Sequence, residues 1–226
     1  MAARSRDGCV AVSCVRPWLV ARFESPHSVA SWAIVGGGLG EALSVVWHEV
    51  QEHELRPPTD AAQWLQARMG DRGLHGAVGL LTSRRLDRWV QAQHAAGKVG
   101  ASCIATVGLG NALRAGDPPG PYARIGTINV LCRVDVALTT PAMLEALAIA
   151  TEAKTAAMLE SGVVSGRSGE PATGTGTDCI VIASPKGQPY APYAGKHTDT
   201  GAAIGAAVLD AVREGARVWK AERGLR

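Results

Sequence analysis

The clearest pattern along the chain is an alternation of apolar and polar residues from 126 to 138. The apolar positions are Ile128, Val130, Cys132, Val134, Val136 and Leu138. The intervening positions include Thr127, Asn129, Arg133 and Asp135. Because successive residues of a strand point to opposite faces, this pattern predicts a strand with one apolar and one mostly polar face. We expect Thr127 and Asn129 to point away from the core, towards either water or a site.

Apolar runs and turn residues elsewhere predict the remaining elements. We expect strands near 9–20, 28–35, 76–81, 99–107 and 179–183, with Ser25-Pro26-His27 as the turn between the first two. Capping residues predict three main helices near 59–69, 141–161 and 199–213, with Thr140 as the cap of the second. The predicted core contains Val78, Leu80, Ile128, Val130, Val134, Leu147, Ile180, Ile182 and Val208.

These elements predict the α+β fold class. We expect one domain over residues 1–226, in which a mixed β-sheet of about seven short strands packs against the three main helices. Residues 1–8 are expected to form a loose tail. The order of the strands does not follow from the sequence.

Composition and charge narrow the classes of function. The 226 residues include 23 basic and 20 acidic ones, without a basic stripe, which argues against nucleic acid as the main partner. The five cysteines are odd in number and contain no Cys-x-x-Cys pair, so a reducing compartment fits best. No apolar stretch approaches the roughly 20 residues of a membrane span. We therefore expect a cytoplasmic protein without a membrane partner.

Candidate chemistry is concentrated in the last third of the chain. Thr-Gly-Thr-Gly-Thr-Asp, residues 173–178, precedes an apolar run, and Ala-Gly-Lys-His-Thr, residues 194–198, precedes the last helix. Since strand-to-helix junctions often carry sites in α/β sheets, we expect Asp178 and His197 to meet. The histidine would act as a base and the carboxylate would fix its tautomer. The alternative is structural, with His197 at a helix end and Asp178 bonded within its own loop.

Glu152 and Lys154 lie in the middle of the second predicted helix. Two positions correspond to about 200° around a helix axis, so a regular helix cannot aim both side chains at one target. We expect one of them to share the proton transfer. The alternative is that both are surface charges of an amphipathic helix.

Three further motifs do not support other chemistry. Glycines occupy 36–38 and 40, but Glu41 stands where a dinucleotide-binding fingerprint needs its last glycine. His48 and His53 are one residue further apart than in the zinc-peptidase motif, so an exposed polar stretch is favoured and no metal is expected. Cys179 begins a strand that we expect to be buried, where a thiol loses reactivity.

Six short stretches occur in a fixed order along the chain. They are Gly36-Gly-Gly38, Val78-Gly-Leu-Leu-Thr82, Gly126-Thr-Ile-Asn129, Thr151-Glu-Ala-Lys154, Thr173-Gly-Thr-Gly-Thr-Asp178 and Ala194-Gly-Lys-His-Thr198, followed by Gly201 and Ile204-Gly205. Together they resemble the adenosylcobinamide amidohydrolase family over most of the chain. Trp47 and Lys196 depart from the family's usual residues, which bears on the fine contacts with substrate.

The resemblance implies hydrolysis of the amide that joins the corrin ring's propionyl side chain to aminopropanol in adenosylcobinamide. The products would be adenosylcobyric acid, which re-enters cobalamin biosynthesis in corrinoid salvage, and aminopropanol. No cofactor is implied, because the corrinoid is the substrate and the expected small-molecule partner. A homo-oligomer is compatible with the sequence. A non-catalytic corrinoid-binding module is the alternative.

The predicted site can be stated residue by residue. The candidate catalytic residues are Asp178, His197, Glu152 and Lys154. The candidate substrate-binding residues are Gly37, Gly38, Asn129, Thr127, Thr175, Thr177 and Thr198. N–H groups at the start of the last helix, or the Asn129 amide, would hold the oxyanion. The nucleophile would be water or the Thr177 hydroxyl, and water is favoured because nothing marks that threonine as unusually basic.

Overall fold

The computed structural model describes residues 3–7, 10–55, 58–120 and 125–225. The helices are α1 (Ala61–Asp71), α2 (Thr140–Glu160) and α3 (Asp199–Ala221). The strands are β1 (Ala3–Asp7), β2 (Val10–Val15), β3 (Trp18–Ser31), β4 (Gly38–Glu49), β5 (Val78–Thr82), β6 (Val90–Ala96), β7 (Val99–Val107), β8 (Ala112–Leu113), β9 (Ile128–Val134), β10 (Ala137–Leu138), β11 (Gly174–Thr175), β12 (Cys179–Pro185) and β13 (Tyr190–Ala191). Two short 3₁₀ turns cover Glu52–Leu55 and Leu86–Arg88.

A mixed sheet connects nine of these strands. Its order is β1-β2-β3-β12-β9-β7-β6, and β4 pairs with both β3 and β5. The pairs β9–β12 and β4–β5 are parallel, while the other pairs of this sheet are antiparallel. The predicted α+β class, with a mixed sheet and three main helices, is confirmed. The sheet is larger than expected because β1, β4 and β6 form where no strand was predicted.

The long strand β3 belongs to both halves of this sheet. Its first half pairs with β2 and its second half with β12, while β4 follows it on its other side. The register shifts between Arg22 and His27, which is a bulge of the kind that bends a strand. Ser25-Pro26-His27 therefore lies within β3, and the turn predicted there is wrong. The chain turns instead at Arg16-Pro17, between β2 and β3.

Buried apolar residues form three layers around the bent sheet. The first layer lies under α2 and α3 and contains Ile128, Val130, Cys132 and Val134, so the predicted parity of β9 is confirmed. The second contains residues from both halves of the sheet, such as Leu131, Val181 and Trp47. The third lies against α1. Of the nine predicted core residues, eight are buried and Leu147 packs half-buried against the first layer.

The other face of β9 is mostly buried, although Thr127 and Asn129 were expected to point away from the core towards either water or a site. Thr127 is 6% exposed and Asn129 is 2% exposed. They lie on the same face as Leu131, which the second apolar layer covers. Because the sheet bends back over this face, Asn129 is buried, while Arg133 near the other end of β9 is half-buried.

Each helix begins at a side-chain cap. Asp60 accepts the N–H groups of the first turn of α1, and Thr198 does the same for α3. The cap of α2 is Thr139 rather than the predicted Thr140. Helix α3 continues to Ala221, past the predicted end at 213, because its apolar face extends along β6 and β7.

The amino-terminal segment is part of the sheet. Residues 3–7 form β1, which pairs antiparallel with β2. The loose tail expected over 1–8 is therefore wrong for 3–7, while residues 1, 2 and 8 lie outside the described residues. Across the described parts of the chain, no helix combines the length and apolar character needed to cross a membrane.

Candidate active site

Asp178 is the centre of a dense hydrogen-bond cluster at the start of β12. Its Oδ1 atom accepts the Thr175 main-chain N–H at 3.0 Å, the Thr175 hydroxyl at 2.5 Å and the Ile128 N–H at 3.2 Å. Its Oδ2 atom accepts the Lys154 ammonium at 2.6 Å and the Thr175 N–H at 3.1 Å. Both carboxylate oxygens are therefore occupied, and the carboxylate is held in one orientation.

Lys154 reaches this carboxylate from the second half of α2. Its Nζ also donates to the Thr173 carbonyl at 3.1 Å. The side chains of Lys154 and Asp178 are only 9% and 11% exposed. An ammonium group has three N–H donors, and the described residues take up two of them. Among the described residues, the third N–H of Lys154 therefore has no partner.

Gly174 is required by the close packing around this ion pair. A Cβ atom at this position would overlap the Asp178 carboxylate and the Lys154 ammonium. Glycine is the residue that permits such a close approach of backbone to a charged pair. The threonines on either side of Gly174 supply the carbonyl, hydroxyl and N–H groups that hold the pair.

Glu152 points away from this cluster. It forms an exposed ion pair with Lys196, in the loop before α3. Lys154 is thus the one of the two charged residues that enters the cluster. The expectation that a regular helix admits only one of them is confirmed by these contacts.

Asp178 and His197 do not meet in the structure. Asp178 precedes β12 and contacts the N–H of Ile128, the first residue of β9. The two strands run parallel, with Cys179 beside Asn129. Asp178 therefore lies at the end of the sheet where the parallel strands β9 and β12 begin.

His197 lies near the opposite end of these strands, where β9 ends. It precedes α3, whose Asp199 carboxylate packs against Gly97 in the turn between β6 and β7. That turn adjoins the end of β7 that pairs with Val134, the last residue of β9. A seven-residue strand such as β9 spans roughly 20 Å. The predicted Asp178–His197 pair is wrong as geometry because the last helix begins at the far end of these strands.

Thr198, the cap of α3, directly follows His197 and lies at the same end of the sheet. Its hydroxyl donates to the Gly195 carbonyl at 2.7 Å and accepts the Gly201 N–H at 3.0 Å. The start of α3 is therefore capped by its own chain, away from Asp178. His197 is exposed, and among the described residues no hydrogen bond or ion pair involves its side chain.

Two predicted binding residues, Thr127 and Thr177, attach the Asp178 loop to the segment just before β9, and a third, Asn129, bonds to β5 instead. The Thr127 hydroxyl donates to the Thr177 carbonyl at 2.8 Å, and the Thr177 hydroxyl donates to the Gly126 carbonyl at 3.1 Å. The Asn129 amide donates to the Leu81 carbonyl at 2.7 Å. Thr177 is exposed and accessible to a ligand. Asn129 and Thr127 are buried; Thr127 positions the loop, whereas Asn129 links β9 to β5.

Gly37 ends the turn between β3 and β4, and Gly38 is the first residue of β4. The Trp32 indole N–H, on the same turn, donates to the Asp178 main-chain carbonyl at 2.6 Å. Gly37 packs on the Ala33 carbonyl, where a side chain would not fit. It also lines a cavity of about 420 Å³ between this turn and α1. That cavity does not include Asp178, and among the described contacts neither glycine bonds to the Asp178 side chain.

No sequence pattern singled out Trp32. It lies 146 positions from Asp178, and a lone tryptophan carries no periodicity or motif. Only the sheet order, in which β3 lies next to β12, brings the two residues together. The carbonyl group of Thr173 was missed for a similar reason, because a main-chain group has no sequence signature.

Two other predictions concern thiol and metal chemistry. Burial raises the pKa of the Cys179 thiol to about 12, which keeps it protonated and agrees with the expectation that it is unreactive. His48 is 5% exposed and packs between the rings of Trp18 and Trp64, so the expected exposed stretch is wrong at this residue. Within the described ranges, no group of three or more His, Cys, Asp or Glu residues could hold a metal ion.

Comparison with known proteins identifies relatives of this chain. The sequence model of the family described as adenosylcobinamide amidohydrolase matches residues 4–224. The adenosylcobinamide amidohydrolase of Halobacterium salinarum is 39% identical over 116 residues, which are 48% of this chain and 47% of that protein. An uncharacterised protein of Methanocaldococcus jannaschii is 41% identical over 95 residues, 42% of this chain and 37% of that protein. The matches thus span less than half the length of these curated relatives.

Solved structures with a similar outline are more distant. A Burkholderia sp. β-aminopeptidase is 11% identical, with a TM-score of 0.43 over 100% of this chain and 91% of that one. The PH0078 protein of Pyrococcus horikoshii is 11% identical, with a TM-score of 0.48 over 95% of this chain and 82% of that one.

Proposed function

Since the chain belongs to the adenosylcobinamide amidohydrolase family, we propose that it hydrolyses the amide between the corrin propionyl side chain and aminopropanol in adenosylcobinamide. The products are adenosylcobyric acid and aminopropanol, and the reaction serves corrinoid salvage for cobalamin biosynthesis in the cytoplasm. One observation carries the proposal. The nearly buried Lys154 ammonium is held by Asp178 and Thr173, with one N–H left by the described residues for a substrate.

Lys154 stabilises the negative charge that develops during the reaction. An amide resists water at neutral pH, so hydrolysis needs donors for the oxyanion and a proton for the leaving amine. The third N–H of the Lys154 ammonium donates to the amide oxygen, which becomes negatively charged as water adds to the carbonyl carbon. Asp178 and the Thr173 carbonyl act as positioning groups, because they fix the ammonium before substrate binds.

The remaining steps balance without a redox partner. Collapse of the tetrahedral intermediate breaks the carbon–nitrogen bond, and both protons of the attacking water end on the leaving nitrogen, the second after ionisation of the carboxylic acid. The products at neutral pH are a carboxylate and the ammonium form of aminopropanol. One water is consumed, no electron is transferred, and no nucleotide, nicotinamide or flavin is required.

Water is the nucleophile in this proposal, and Thr177 is the alternative. The Thr177 hydroxyl donates to the Gly126 carbonyl at 3.1 Å, and a carbonyl cannot take up its proton. A threonine nucleophile needs an adjacent base, and the described contacts give Thr177 none. The hydroxyl is exposed and can bind the aminopropanol end of the substrate.

A non-catalytic corrinoid-binding module is the competing function. The buried Lys154–Asp178 pair favours the hydrolase. Burying an ion pair has a desolvation cost, and simple binding of a corrinoid does not require a buried ammonium next to the amide. The decisive measurement is chromatography of the corrinoid after incubation of adenosylcobinamide with the purified protein. We expect adenosylcobyric acid and an equal amount of aminopropanol. Corrinoid retained by the protein with no aminopropanol released over hours would establish the binding module instead.

Two variants test the roles of the charged pair. Lys154→Met keeps a long apolar side chain, and it is expected to lower turnover by at least about a hundredfold, the usual scale for a missing catalytic group. Asp178→Asn keeps the shape and is expected to lower turnover less, because it orients Lys154 without touching the substrate. Lys186→Met removes an exposed lysine that pairs with Glu41 and serves as the matched control. Equal turnover in Lys154→Met and Lys186→Met would contradict the assignment.

A further inference from the structure

Trp32 is an exposed aromatic residue with a fixed orientation. It is 49% exposed, whereas the other five tryptophans are buried or half-buried. Its indole N–H is nevertheless bonded to the Asp178 carbonyl at 2.6 Å. A tryptophan held at its polar end presents an apolar ring at little cost in side-chain entropy. Exposed aromatic surface beside polar groups is typical of a ligand site.

The Trp32 ring lies within reach of the proposed catalytic group. Asp178 accepts Trp32 through its main-chain oxygen and Lys154 through its side chain, at 2.6 Å in each case. Allowing for the covalent length of an aspartate, the Trp32 Nε1 and Lys154 Nζ atoms are separated by at most about 10 Å. A ligand that lies on the indole can therefore extend one arm to the ammonium.

The residues around Trp32 are apolar or lack side chains that would stand above the indole. Ile34, on the same turn, is 46% exposed. The turn continues through glycines at 36–38, which have no side chains to obstruct an approach. Gly37 cannot carry one, because its Cα packs on the Ala33 carbonyl. We call Trp32 and Ile34 the apolar shelf; it is bounded on one side by the Lys154–Asp178 pair.

We propose that the flat corrin macrocycle of the substrate lies on the apolar shelf, stacked against the Trp32 indole. This inference rests on the proposed function and adds a specificity-determining residue to it. A large planar ring with an amide-bearing arm fits a surface of this kind, because the ring covers the indole while the arm reaches Lys154. Three carbon–carbon bonds separate the corrin ring carbon from the carbonyl carbon of the amide, a distance of about 4 Å when the arm is extended. The shelf binds the part of the substrate that does not react.

Variants of Trp32 test this shelf by separating binding from chemistry. Trp32→Leu removes the flat face and is expected to raise KM for adenosylcobinamide about tenfold, with a much smaller change in kcat, since uniform binding is lost. Trp32→Phe restores an aromatic face without the N–H donor and is expected to recover most of the affinity. Leu144→Ala, at a 53% exposed residue in the first turns of α2, is the matched control.

A binding measurement gives the same test without turnover. Equilibrium dialysis of adenosylcobinamide against Lys154→Met, alone and combined with Trp32→Leu, reports the dissociation constant directly. We expect the double variant to bind about tenfold more weakly. If wild type retains the corrinoid but does not cleave it, the proposed hydrolysis fails while the shelf is still measured. If wild type neither retains nor cleaves it, both proposals are wrong.

Three results would overturn the shelf while leaving the hydrolase intact. The first is an unchanged KM and dissociation constant in Trp32→Leu. The second is an equal loss of kcat in Trp32→Leu and Trp32→Phe, which would assign Trp32 the role of positioning Asp178 through its N–H. The third is a lower mass in sedimentation for Trp32→Leu than for wild type, which would make this surface a contact between two copies of the chain.

Discussion

Lys154 illustrates how a single side chain acquires a chemical role from its surroundings. On an exposed helix face it would be one of many solvated lysines, and its ion pair would contribute little. Here the pair with Asp178 is about nine-tenths buried and both partners have further hydrogen bonds. Removing one partner would leave an uncompensated charge in a poorly solvated place. We therefore expect substitutions in this cluster to be strongly disruptive.

Gly174→Ala should separate the charged pair without removing either charge. Its Cβ would overlap the Asp178 carboxylate and the Lys154 ammonium, so both must move. We expect turnover to fall by at least about a hundredfold, with an intact far-ultraviolet circular dichroism spectrum. Gly166→Ala is the control, since a Cβ there meets nothing closer than 3.9 Å. Full activity in Gly174→Ala would mean that the observed pairing of Lys154 and Asp178 is not needed.

At the scale of elements, α2 and α3 have different relations to the site. Both start near the end of the sheet where β9 ends, and α2 carries Lys154 across the sheet to the start of β12. Helix α3 keeps its amino-terminal end, with His197 and Thr198, on the far side. Its N–H groups therefore do not face Asp178. The element that supplies the chemistry is α2, together with the loop before β12.

His197→Ala is therefore expected to keep turnover within about threefold of wild type, far short of the usual 10²–10⁴ loss for an acid–base group. The physical reason is that the side chain lies near the opposite end of a strand about 20 Å long. Steady-state rates for His197→Ala and Lys154→Met, measured side by side, give the comparison. A loss of more than about a hundredfold in His197→Ala would restore the original hypothesis of an Asp178–His197 pair.

Features of the fold that depend on local patterns could be predicted from the sequence, whereas those that depend on strand order could not. The parity of β9, the approximate starts of the three helices and the incompatibility of Glu152 with Lys154 depend on local patterns, so the sequence predicts them correctly. The pairing of Asp178 depends on strand order and on the length of the loop before α3, which no local pattern contains. The burial of Asn129 likewise requires knowing that the sheet bends at β3.

At the scale of the whole molecule, the bend in β3 creates a second buried layer from residues that would otherwise face water. It also buries polar groups of β4. His48 lies between Trp18 and Trp64, with ring centroids 4.4 and 5.1 Å away, and its Nδ1 atom has no hydrogen-bond partner among the described residues. The fold therefore holds this imidazole in a place where a positive charge is poorly solvated.

This burial makes the stability of the fold depend on pH. Burial lowers the pKa of His48 below its usual value of 6.5. In the interval between the lowered pKa and 6.5 the unfolded chain binds a proton that the folded chain does not, so acid favours unfolding. The stabilisation is fully present above the unfolded pKa and is lost as the pH falls through the folded one. His27 adds to the effect in the same direction, because burial also lowers its pKa.

The contribution of His48 can be isolated with His48→Phe, which keeps a flat ring between the two tryptophans and cannot be protonated. Urea unfolding at about pH 7.5 and about pH 5.5 gives the free energy of unfolding under each condition. We expect wild type to lose more stability between the two than His48→Phe does. The exposed His75, changed to Phe, is the control and should leave the wild-type pH dependence in place. Equal losses in wild type and His48→Phe would mean that the unfolded and folded chains protonate this imidazole alike, and that the third layer, which contains Trp18, does not exclude water from it.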